Sequence, residues 1–377
     1  MNKLPIKLLQ KLQNRQTENA LRNLGSENNL VDFSSNDYLG FSANEAIFNA
    51  AHNHLVANNI KQNGVTGSRL LTGNHDLYNM VEQQLCHFYN CESALVFNSG
   101  YDANLGFFSC VPQRDDIIFY DEYIHASIRD GITMSNAKAY KFKHNNLEDL
   151  KDKMLRYINE DGEKYVVTES VFSMDGDTPN LKAISQLCKK NTAHLIVDEA
   201  HAIGVLGPTG SGLIKALKLD VFARIITFGK ALGCHGAAII GSDLLKQYLI
   251  NFSRSFIYTT GLSPHSLATI KFANEELEKT SQIEVLHENI SFFKSEINKL
   301  QLKDKFIESN SAIHCCIIPG NDKVKTIAKA FQENNFNIKP ILSPTVPKGQ
   351  ERLRFCLHSY NSKAEISQVL NLLTTFV

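Results

Sequence analysis

Lys230 is the residue of this sequence whose position most clearly suggests chemistry. It follows an apolar, β-rich run at residues 223–228 and stands between small residues, with Gly229 before it and Ala231 after it. A lysine at such a strand end has little room to extend its ammonium group into water. Burial lowers the pKa of an amine, and a neutral amine attacks a carbonyl to form a Schiff base. The alternative interpretation is an ordinary lysine that caps a strand.

A second stretch, residues 194–201, ends another apolar run with the carboxylate of Asp198 and, shortly after it, the imidazole of His201. A lysine and an aspartate at two strand ends are the pair that pyridoxal 5′-phosphate (PLP) requires. The lysine binds the aldehyde carbon, and the aspartate keeps the pyridine nitrogen protonated. Lys230 and Asp198 together therefore predict a PLP site.

Polar groups follow the other apolar runs in the same way. Residues 98–104 form a glycine turn that opens a helix, where free backbone N–H groups bind a phosphate well. His125 follows a run that ends at Tyr120 and could stack on a flat cofactor ring, and residues 168–177 place more polar groups beyond a strand. Each stretch alone is also compatible with a plain turn or a surface loop. Together they converge on one edge of a sheet, as one pocket requires.

The predicted elements explain this convergence. Helix-length segments separate most of the strands, which predicts an α/β fold with a mostly parallel sheet covered on both faces and a ligand beyond the carboxyl ends of the strands. After residue 263 the pattern changes to charged helices and fewer strands, typical of a smaller α+β domain. We predict an N-terminal arm (1–45, with an amphipathic helix and linker up to about residue 30), a large PLP-binding domain (46–265) and a small C-terminal domain (266–377). The predicted strands are 94–97, 117–120, 165–168, 194–197, 223–228, 236–241, 313–318 and 352–357, and the predicted helices are 75–89, 147–159, 181–190, 266–279, 283–300 and one from 363.

Composition excludes several classes of protein. The chain has 377 residues, 43% of them hydrophobic, and its 39 basic and 39 acidic residues cancel, so neither a nucleic acid nor a membrane surface is an expected partner. The eight cysteines are scattered without zinc-type spacing, which predicts reduced thiols, a cytoplasmic location and no metal site. A mitochondrial presequence is a weaker alternative for the basic N-terminus. Asp198–His201 resembles a Walker B box, but no phosphate-binding P-loop accompanies it, which argues against an NTPase.

Taken together, the motifs resemble the α-oxoamine synthases, a family of fold-type I PLP-dependent enzymes. The resemblance runs nearly end to end. Its strongest marks are residues 34–40, 67–70, 171–177 and 345–347. It implies an acyltransferase that is a homodimer with active sites at the subunit interface.

The same resemblance implies roles for individual residues. Lys230 would bond to the cofactor aldehyde, Asp198 would pair with the pyridinium nitrogen, and His125 would stack on the ring. The other implied cofactor contacts are Gly100, Tyr101 and Thr227 at the phosphate, Thr259 or Thr260 of a second subunit at the same phosphate, Glu169 at the cofactor's edge, and Ser173 and His201 near the phenolic oxygen. The implied substrate contacts are Asn36 and Arg354 for an amino-acid carboxylate and Arg22 and Ser68 for an acyl group.

Within the family, the resemblance favours the branch that joins L-alanine to a pimeloyl thioester in biotin synthesis, giving 8-amino-7-oxononanoate, CO2 and a free thiol. The thioester could be carried by CoA or by an acyl carrier protein. The open alternatives are 2-amino-3-ketobutyrate CoA ligase or another synthase using glycine or serine, an aminotransferase on the same scaffold, and an inactive cofactor-binding regulator. Ser170 and Leu232 stand where the family often has smaller residues, and we expect both to touch the pocket and influence acyl preference.

Overall fold

The computed structural model describes residues 4–22, 24 and 29–377, which group into two compact units. The large unit contains Asn36–Ser173 and Asp177–Val285, and the small unit is drawn from Met1–Ser35, Met174–Gly176 and Leu286–Val377. The first residues of the predicted N-terminal helix (1–3) and parts of its linker (23 and 25–28) lie outside the described residues. Residues 36–45 and 266–285 group with the large unit. The domain boundaries at 45 and 265 stay a prediction.

Strands and helices alternate through most of the described chain. The strands are β1 (Val31–Asp32), β2 (Ser93–Phe97), β3 (Ile117–Asp121), β4 (Lys138–Phe142), β5 (Lys164–Glu169), β6 (Ala193–Asp198), β7 (Ala223–Thr227), β8 (Ala237–Gly241), β9 (Ile313–Ile317), β10 (Phe336–Asn337), β11 (Lys339–Ile341) and β12 (Arg352–Cys356). The α-helices are α1 (Ile6–Thr17), α2 (Glu45–Ala57), α3 (Asp76–Tyr89), α4 (Gly100–Cys110), α5 (Ala126–Met134), α6 (Leu147–Arg156), α7 (Leu181–Lys190), α8 (Gly212–Ala216), α9 (Asp243–Phe252), α10 (Arg254–Ile257), α11 (Pro264–Leu277), α12 (Gln282–Lys299), α13 (Asn321–Glu333) and α14 (Lys363–Leu373).

The large unit is built on a seven-stranded sheet in the order β2-β8-β7-β6-β5-β3-β4. All its strand pairs are parallel except those of β8, which runs antiparallel to both of its neighbours. Because β8 is antiparallel to β2 and to β7, the strands β2 and β7 point the same way as the rest of the sheet. The predicted α/β fold with a mostly parallel sheet is confirmed.

Apolar side chains cover both faces of this sheet. On one face, Phe107 of α4 and Ile128 of α5 are buried in the cluster that also contains Ile118 of β3. On the other face, Leu150 of α6 and Ile184 of α7 lie in the cluster built on the neighbouring strand residues. Burial on both faces explains why the central strands are continuously apolar instead of alternating.

The small unit contains two short sheets. In one, β12 lies between β11 and β9 and is antiparallel to both, and in the other β1 pairs in parallel with β10. All of Arg352–Cys356 is buried, as expected for a central strand. Among the described residues of the chain, no helix combines the length and the hydropathy that a membrane span requires.

Candidate active site

The carboxyl ends of the strands in the large unit bring the predicted site residues together. Glu169 and Asp198 end β5 and β6 and are direct partners in the sheet register. Phe97 of β2 and Thr227 of β7 both lie opposite Ala237 of β8, so these two strands end at the same level. The loops that follow β2, β3, β5, β6 and β7 therefore meet at one edge, as the sequence predicted.

Lys230 lies half-buried in the tight turn that joins β7 to β8. The backbone N–H of Gly233 donates to the carbonyl of Lys230 at 2.8 Å, and the N–H of Cys234 donates to the carbonyl of Phe228 at 2.8 Å. Gly233 has a φ of +62°, and a Cβ there would collide with the backbone nitrogen of Ser42, so this position requires glycine. The turn thus fixes the backbone from which the lysine amine projects.

Asp198 and Glu169 form a pair of buried carboxyl groups, 5% and 3% exposed. Asp198 accepts hydrogen bonds from the side-chain amide of Asn104 at 2.9 Å and from the backbone N–H of Ala200 at 2.9 Å. Burial, followed by the nearby charge of Asp198, raises the pKa of Glu169 well above its usual range, despite the opposing effect of Lys230. The two carboxyl groups are direct neighbours in the sheet register, and Asp198 carries the hydrogen bonds from Asn104 and Ala200.

His125 lies between β3 and α5, and its exposed ring caps that helix. Its Nδ1 accepts a hydrogen bond from the backbone N–H of Ser127 at 3.3 Å and lies 2.7 Å from the Ser127 hydroxyl. Its own backbone N–H donates to Glu169 Oε1 at 2.6 Å. Desolvation by the surrounding protein lowers the pKa of His125, and the charge of Lys230 adds to this effect, although Asp198 opposes it.

The N-terminus of α4 forms a cradle for an anion. Ser99 caps the helix through a hydrogen bond from the backbone N–H of Asp102 to its hydroxyl at 3.0 Å, which leaves the amides of Gly100 and Tyr101 at the open end. A Cβ at Gly100 would lie 3.6 Å from Thr227 Oγ1, so the Thr227 hydroxyl faces this opening. The helix dipole and these donors suit a phosphate.

His201 follows β6 and is fixed by a chain of hydrogen bonds. The buried hydroxyl of Tyr38 lies 2.8 Å from His201 Nδ1 and donates to Asn36 Oδ1 at 3.1 Å. Asn36 and His201 are therefore connected through one tyrosine. Ser173 is also buried and lies in the loop after β5. The predicted roles of Asn36, Ser173 and His201 toward ligands stay predictions.

Two predicted contacts lie elsewhere in the large unit. Thr259 Oγ1 accepts a hydrogen bond from the side chain of Asn98 at 3.1 Å, and the Thr260 carbonyl accepts another from the same amide at 2.6 Å. Ser68 is half-buried in a turn that its own carbonyl closes onto Gly73. Contact of the threonines with a second subunit and contact of Ser68 with an acyl group stay predictions.

The two predicted arginines belong to the small unit. Arg354 lies in β12 and is 8% exposed, and Arg22 is exposed and contacts Thr345 Oγ1 at 3.4 Å. Thr345 is part of the 345–347 motif that supported the family resemblance. Their roles as substrate ligands stay predictions.

The donor set of the large unit fits PLP. Asp198 is a buried carboxylate, and its hydrogen bonds from Asn104 and Ala200 leave further lone pairs for a pyridinium N–H. The α4 N-terminus offers backbone N–H donors for a phosphate, and the Thr227 hydroxyl, which donates to the Gly236 carbonyl at 3.2 Å, lies beside them. Lys230 supplies an amine, and His125 supplies an imidazole. These groups match the phosphate, the aldehyde and the ring nitrogen of the cofactor, and all of them lie at one sheet edge.

Ser170 and Leu232, the two residues that depart from the family pattern, have different surroundings. The Ser170 hydroxyl donates to Glu199 Oε1 at 2.9 Å, and Glu199 is fully buried against Arg224. The Ser170 hydroxyl is therefore part of a buried ion-pair network with Glu199 and Arg224. Leu232 is 1% exposed in the Lys230 turn, where it packs in the protein interior. An influence of either residue on acyl preference stays a prediction.

A half-buried imidazole supports the loop that carries Ser173. His144 Nδ1 lies 2.9 Å from Asp121 Oδ1, and its Nε2 lies 2.9 Å from Asp177 Oδ2. The ring stacks on Tyr123 and meets the edge of Phe172. Burial lowers the pKa of His144, but the two carboxylates outweigh that effect and raise this pKa to about 9. A cation therefore joins the end of β3 to the loop after β5.

We expect His144→Gln to destabilise the fold by about 3 kcal/mol near pH 6, since the buried carboxylate of Asp121 and the half-buried carboxylate of Asp177 lose their shared cation. Because the folded pKa is raised, the stabilisation is complete below the ordinary histidine pKa and is lost as pH rises through about 9. Urea unfolding at pH 6 and pH 10 measures this, with His52→Gln on the exposed face of α2 as the control. An equal loss at both pH values would contradict the bridging cation.

Sequence reasoning missed several residues of the site. Asn104, Ser127 and Tyr38 are buried and contact Asp198, His125 and His201 respectively. Asn104 lies one helical turn after Gly100, and a polar residue at that spacing on an otherwise apolar helix was the available signal. Ser127 and Tyr38 carried no comparable signal, because a serine in a first helical turn and a tyrosine after a strand are common.

The chain is similar to several known proteins over most of its length. Residues 28–373 match the family model described as aminotransferase class I and II. The 8-amino-7-oxononanoate synthase of Emericella nidulans is 38% identical over 368 residues, which cover 92% of this chain and 89% of that protein. The crystal structure of 8-amino-7-oxononanoate synthase from Francisella tularensis is 31% identical, with a TM-score of 0.78 over 93% of this chain and 98% of that one. A structure of SPT, a serine palmitoyltransferase, with bound PLP is 26% identical, with a TM-score of 0.88 over 98% of this chain and 96% of that one.

Proposed function

The chain belongs to the aminotransferase class I and II family and, within it, to the α-oxoamine synthases, and from this membership we propose that it condenses L-alanine with a pimeloyl thioester. The products are 8-amino-7-oxononanoate, CO2 and the free thiol, a step of biotin biosynthesis. The observation that carries the proposal is the 38% identity, over nearly the whole chain, to a relative named for this product. The chain is a PLP-dependent acyltransferase.

In this proposal the large unit holds the cofactor. Bound PLP supplies an electrophilic aldehyde and a protonated ring that withdraws electrons from the substrate Cα. The backbone N–H groups of Gly100 and Tyr101 and the Thr227 hydroxyl hold the phosphate. Asp198 would hold the proton of the ring nitrogen, and Lys230 Nζ would hold the aldehyde carbon.

Proton transfer in this proposal falls to Lys230. Lys230 Nζ lies at the β7–β8 turn and, when neutral and not bonded to the cofactor, would accept the Cα proton of alanine. In this proposal Asp198 stays an anion throughout the reaction, whereas Lys230 has to be neutral in order to accept a proton. Their separate elements, β6 and the β7–β8 turn, meet this requirement.

Four side chains are the proposed substrate contacts. Arg354 suits the amino-acid carboxylate because a guanidinium donates two parallel hydrogen bonds, and Asn36 can add a third donor. We assign Arg22 and Ser68 to the acyl group. We also propose a homodimer in which Thr259 or Thr260 reaches the partner's phosphate site, and a cytoplasmic enzyme whose acyl donor is carried by CoA or by an acyl carrier protein.

A synthase that uses serine or glycine is the second candidate, and one observation favours it. The TM-score is higher with SPT than with the Francisella tularensis enzyme, 0.88 against 0.78. The cofactor residues are compatible with either substrate. The choice depends on the groups around the amino-acid side chain and the acyl chain.

Turnover of a substrate panel tests the proposal. The purified chain with PLP is incubated with L-alanine, glycine or L-serine, each with acetyl-, pimeloyl- or palmitoyl-CoA, and with alanine plus a pimeloyl carrier protein. Thiol release and product mass are followed. We expect alanine with a pimeloyl thioester to be preferred by roughly tenfold or more. Turnover of glycine with acetyl-CoA alone would overturn the alanine assignment, and amino transfer without thiol release would overturn acyl transfer.

A further inference from the structure

One buried amide on α4 lies between the two groups that flank the predicted cofactor ring. Asn104 is 2% exposed, and its Nδ2 lies 2.9 Å from Asp198 Oδ2 and 3.0 Å from the Ser127 hydroxyl. The Ser127 hydroxyl in turn lies 2.7 Å from His125 Nδ1. Asn104 and Ser127 therefore connect the carboxylate to the imidazole through hydrogen bonds.

The orientation of the Asn104 amide is determined by its neighbours. The reverse orientation would place its carbonyl oxygen against the Asp198 carboxylate, where two acceptors repel. The observed orientation leaves Asn104 Oδ1 without a hydrogen-bond partner among the described residues. The Asn104 side chain therefore donates to both Asp198 and Ser127, while its carbonyl oxygen accepts no hydrogen bond from the described residues. A buried carbonyl oxygen without a donor costs free energy.

The direction of these hydrogen bonds then fixes the His125 tautomer. The backbone N–H of Ser127 can only donate, and it points at His125 Nδ1 from 3.3 Å, so Nδ1 carries a lone pair. The Ser127 hydroxyl accepts from Asn104 and donates its own proton to the same Nδ1. A neutral His125 must therefore carry its proton on Nε2.

We propose that Asn104 and Ser127 are positioning residues that couple Asp198 to His125 and hold His125 neutral with its proton on Nε2. Protonation of Nδ1 would break both hydrogen bonds and would place a cation at the N-terminus of α5, where the helix dipole disfavours it. The inference rests on the PLP role of the site and is independent of which amino acid and thioester react.

The charges around His125 do not determine its state by themselves. Lys230 favours the neutral ring, whereas Asp198 and Asp130 favour the charged one. Glu169, whose pKa is raised, accepts a hydrogen bond from the backbone N–H of His125. The effects of these charges on the ring oppose each other. The hydrogen bonds from the Ser127 N–H and hydroxyl to His125 Nδ1 favour the neutral ring in addition.

Ring-nitrogen NMR of histidine-labelled holoenzyme tests this inference, with the His125 signal assigned by its loss in His125→Phe. We expect the parent signal to report a proton on Nε2. Ser127→Ala should raise the pKa of His125 by about one unit, because the neutral ring loses a donor at Nδ1. The acid limb of the kcat/KM profile should move up by the same amount.

Asn104→Leu should weaken PLP binding roughly tenfold, since Asp198 loses a hydrogen bond to a charged group.

Matched controls separate this role from general destabilisation. Ser109→Ala removes a hydroxyl from α4 away from the relay, and Asn274→Leu removes a fully buried amide from α11. Neither should change the His125 pKa or PLP affinity. A parent proton on Nδ1, or a His125 pKa unchanged in Ser127→Ala, would overturn the inference. The titration needs no substrate, so failure of the alanine assignment would leave its result intact.

Discussion

Lys230→Ala is expected to lower the rate of thiol release by roughly 10⁴-fold or more, since both covalent attachment of the cofactor and the general base disappear. The fold should be retained, because Lys230 lies in a turn fixed by the backbone bonds of Phe228, Gly233 and Cys234. We expect the melting temperature to change little. The loss should therefore appear in kcat and not in the yield of folded protein.

Steady-state thiol release and thermal unfolding of the same preparations measure this result. Lys189→Ala is the matched control, because that lysine is exposed and makes only a long contact with Asp220. It should behave like the parent chain. Retention of a tenth of the parent rate by Lys230→Ala would assign the base to another residue.

Asp198→Asn is expected to lower kcat by roughly 10²- to 10³-fold, because an amide cannot stabilise a proton on the ring nitrogen. Asparagine has nearly the same size, and its single oxygen can keep the hydrogen bond from the Ala200 N–H, whereas its NH2 group would face the amide of Asn104, which donates to the other oxygen of Asp198. We therefore expect the fold to survive at the cost of one buried hydrogen bond. The pH dependence of the bound cofactor's visible spectrum should change as well, because the ring nitrogen titrates differently. The substitution thus removes the charge of the Asp198 side chain with little change in its size.

Stopped-flow turnover and a spectral pH titration measure this second result, with Asp220→Asn as a control at an exposed position of the same unit. The control should leave both readouts unchanged. If Asp198→Asn kept the parent spectrum at every pH, the ring nitrogen would have a different partner.

The sequence predicted the parts of the fold that depend on local pattern. The apolar runs before His125, Asp198 and Lys230 form strands, and parallel strands bring their carboxyl ends to one edge, so the pocket could be inferred without coordinates. The edge strand β4 was missed because only Phe142 of it is buried, which leaves no apolar run. The reversal of β8 depends on sheet pairing and not on local composition.

The contacts inside the site were less predictable. The cap that His125 forms on α5 and the amide relay of Asn104 depend on which side chains meet across elements, and one sequence does not encode those distances locally. Ser170 illustrates the same limit. Its position after β5 indicated the pocket, but its hydroxyl donates to the buried Glu199. The family resemblance implied which residues contact the cofactor and the substrates, whereas their hydrogen-bond partners within the chain were visible only in the structure.

Borohydride reduction of the PLP-loaded chain, followed by peptide mass spectrometry, determines whether Lys230 carries the cofactor. We expect a reduced cofactor mass on the peptide that contains Lys230, in about one copy per chain, and no such adduct in Lys230→Ala. A colourless reconstituted protein without an adduct, or an adduct carried by a different lysine, would contradict this expectation.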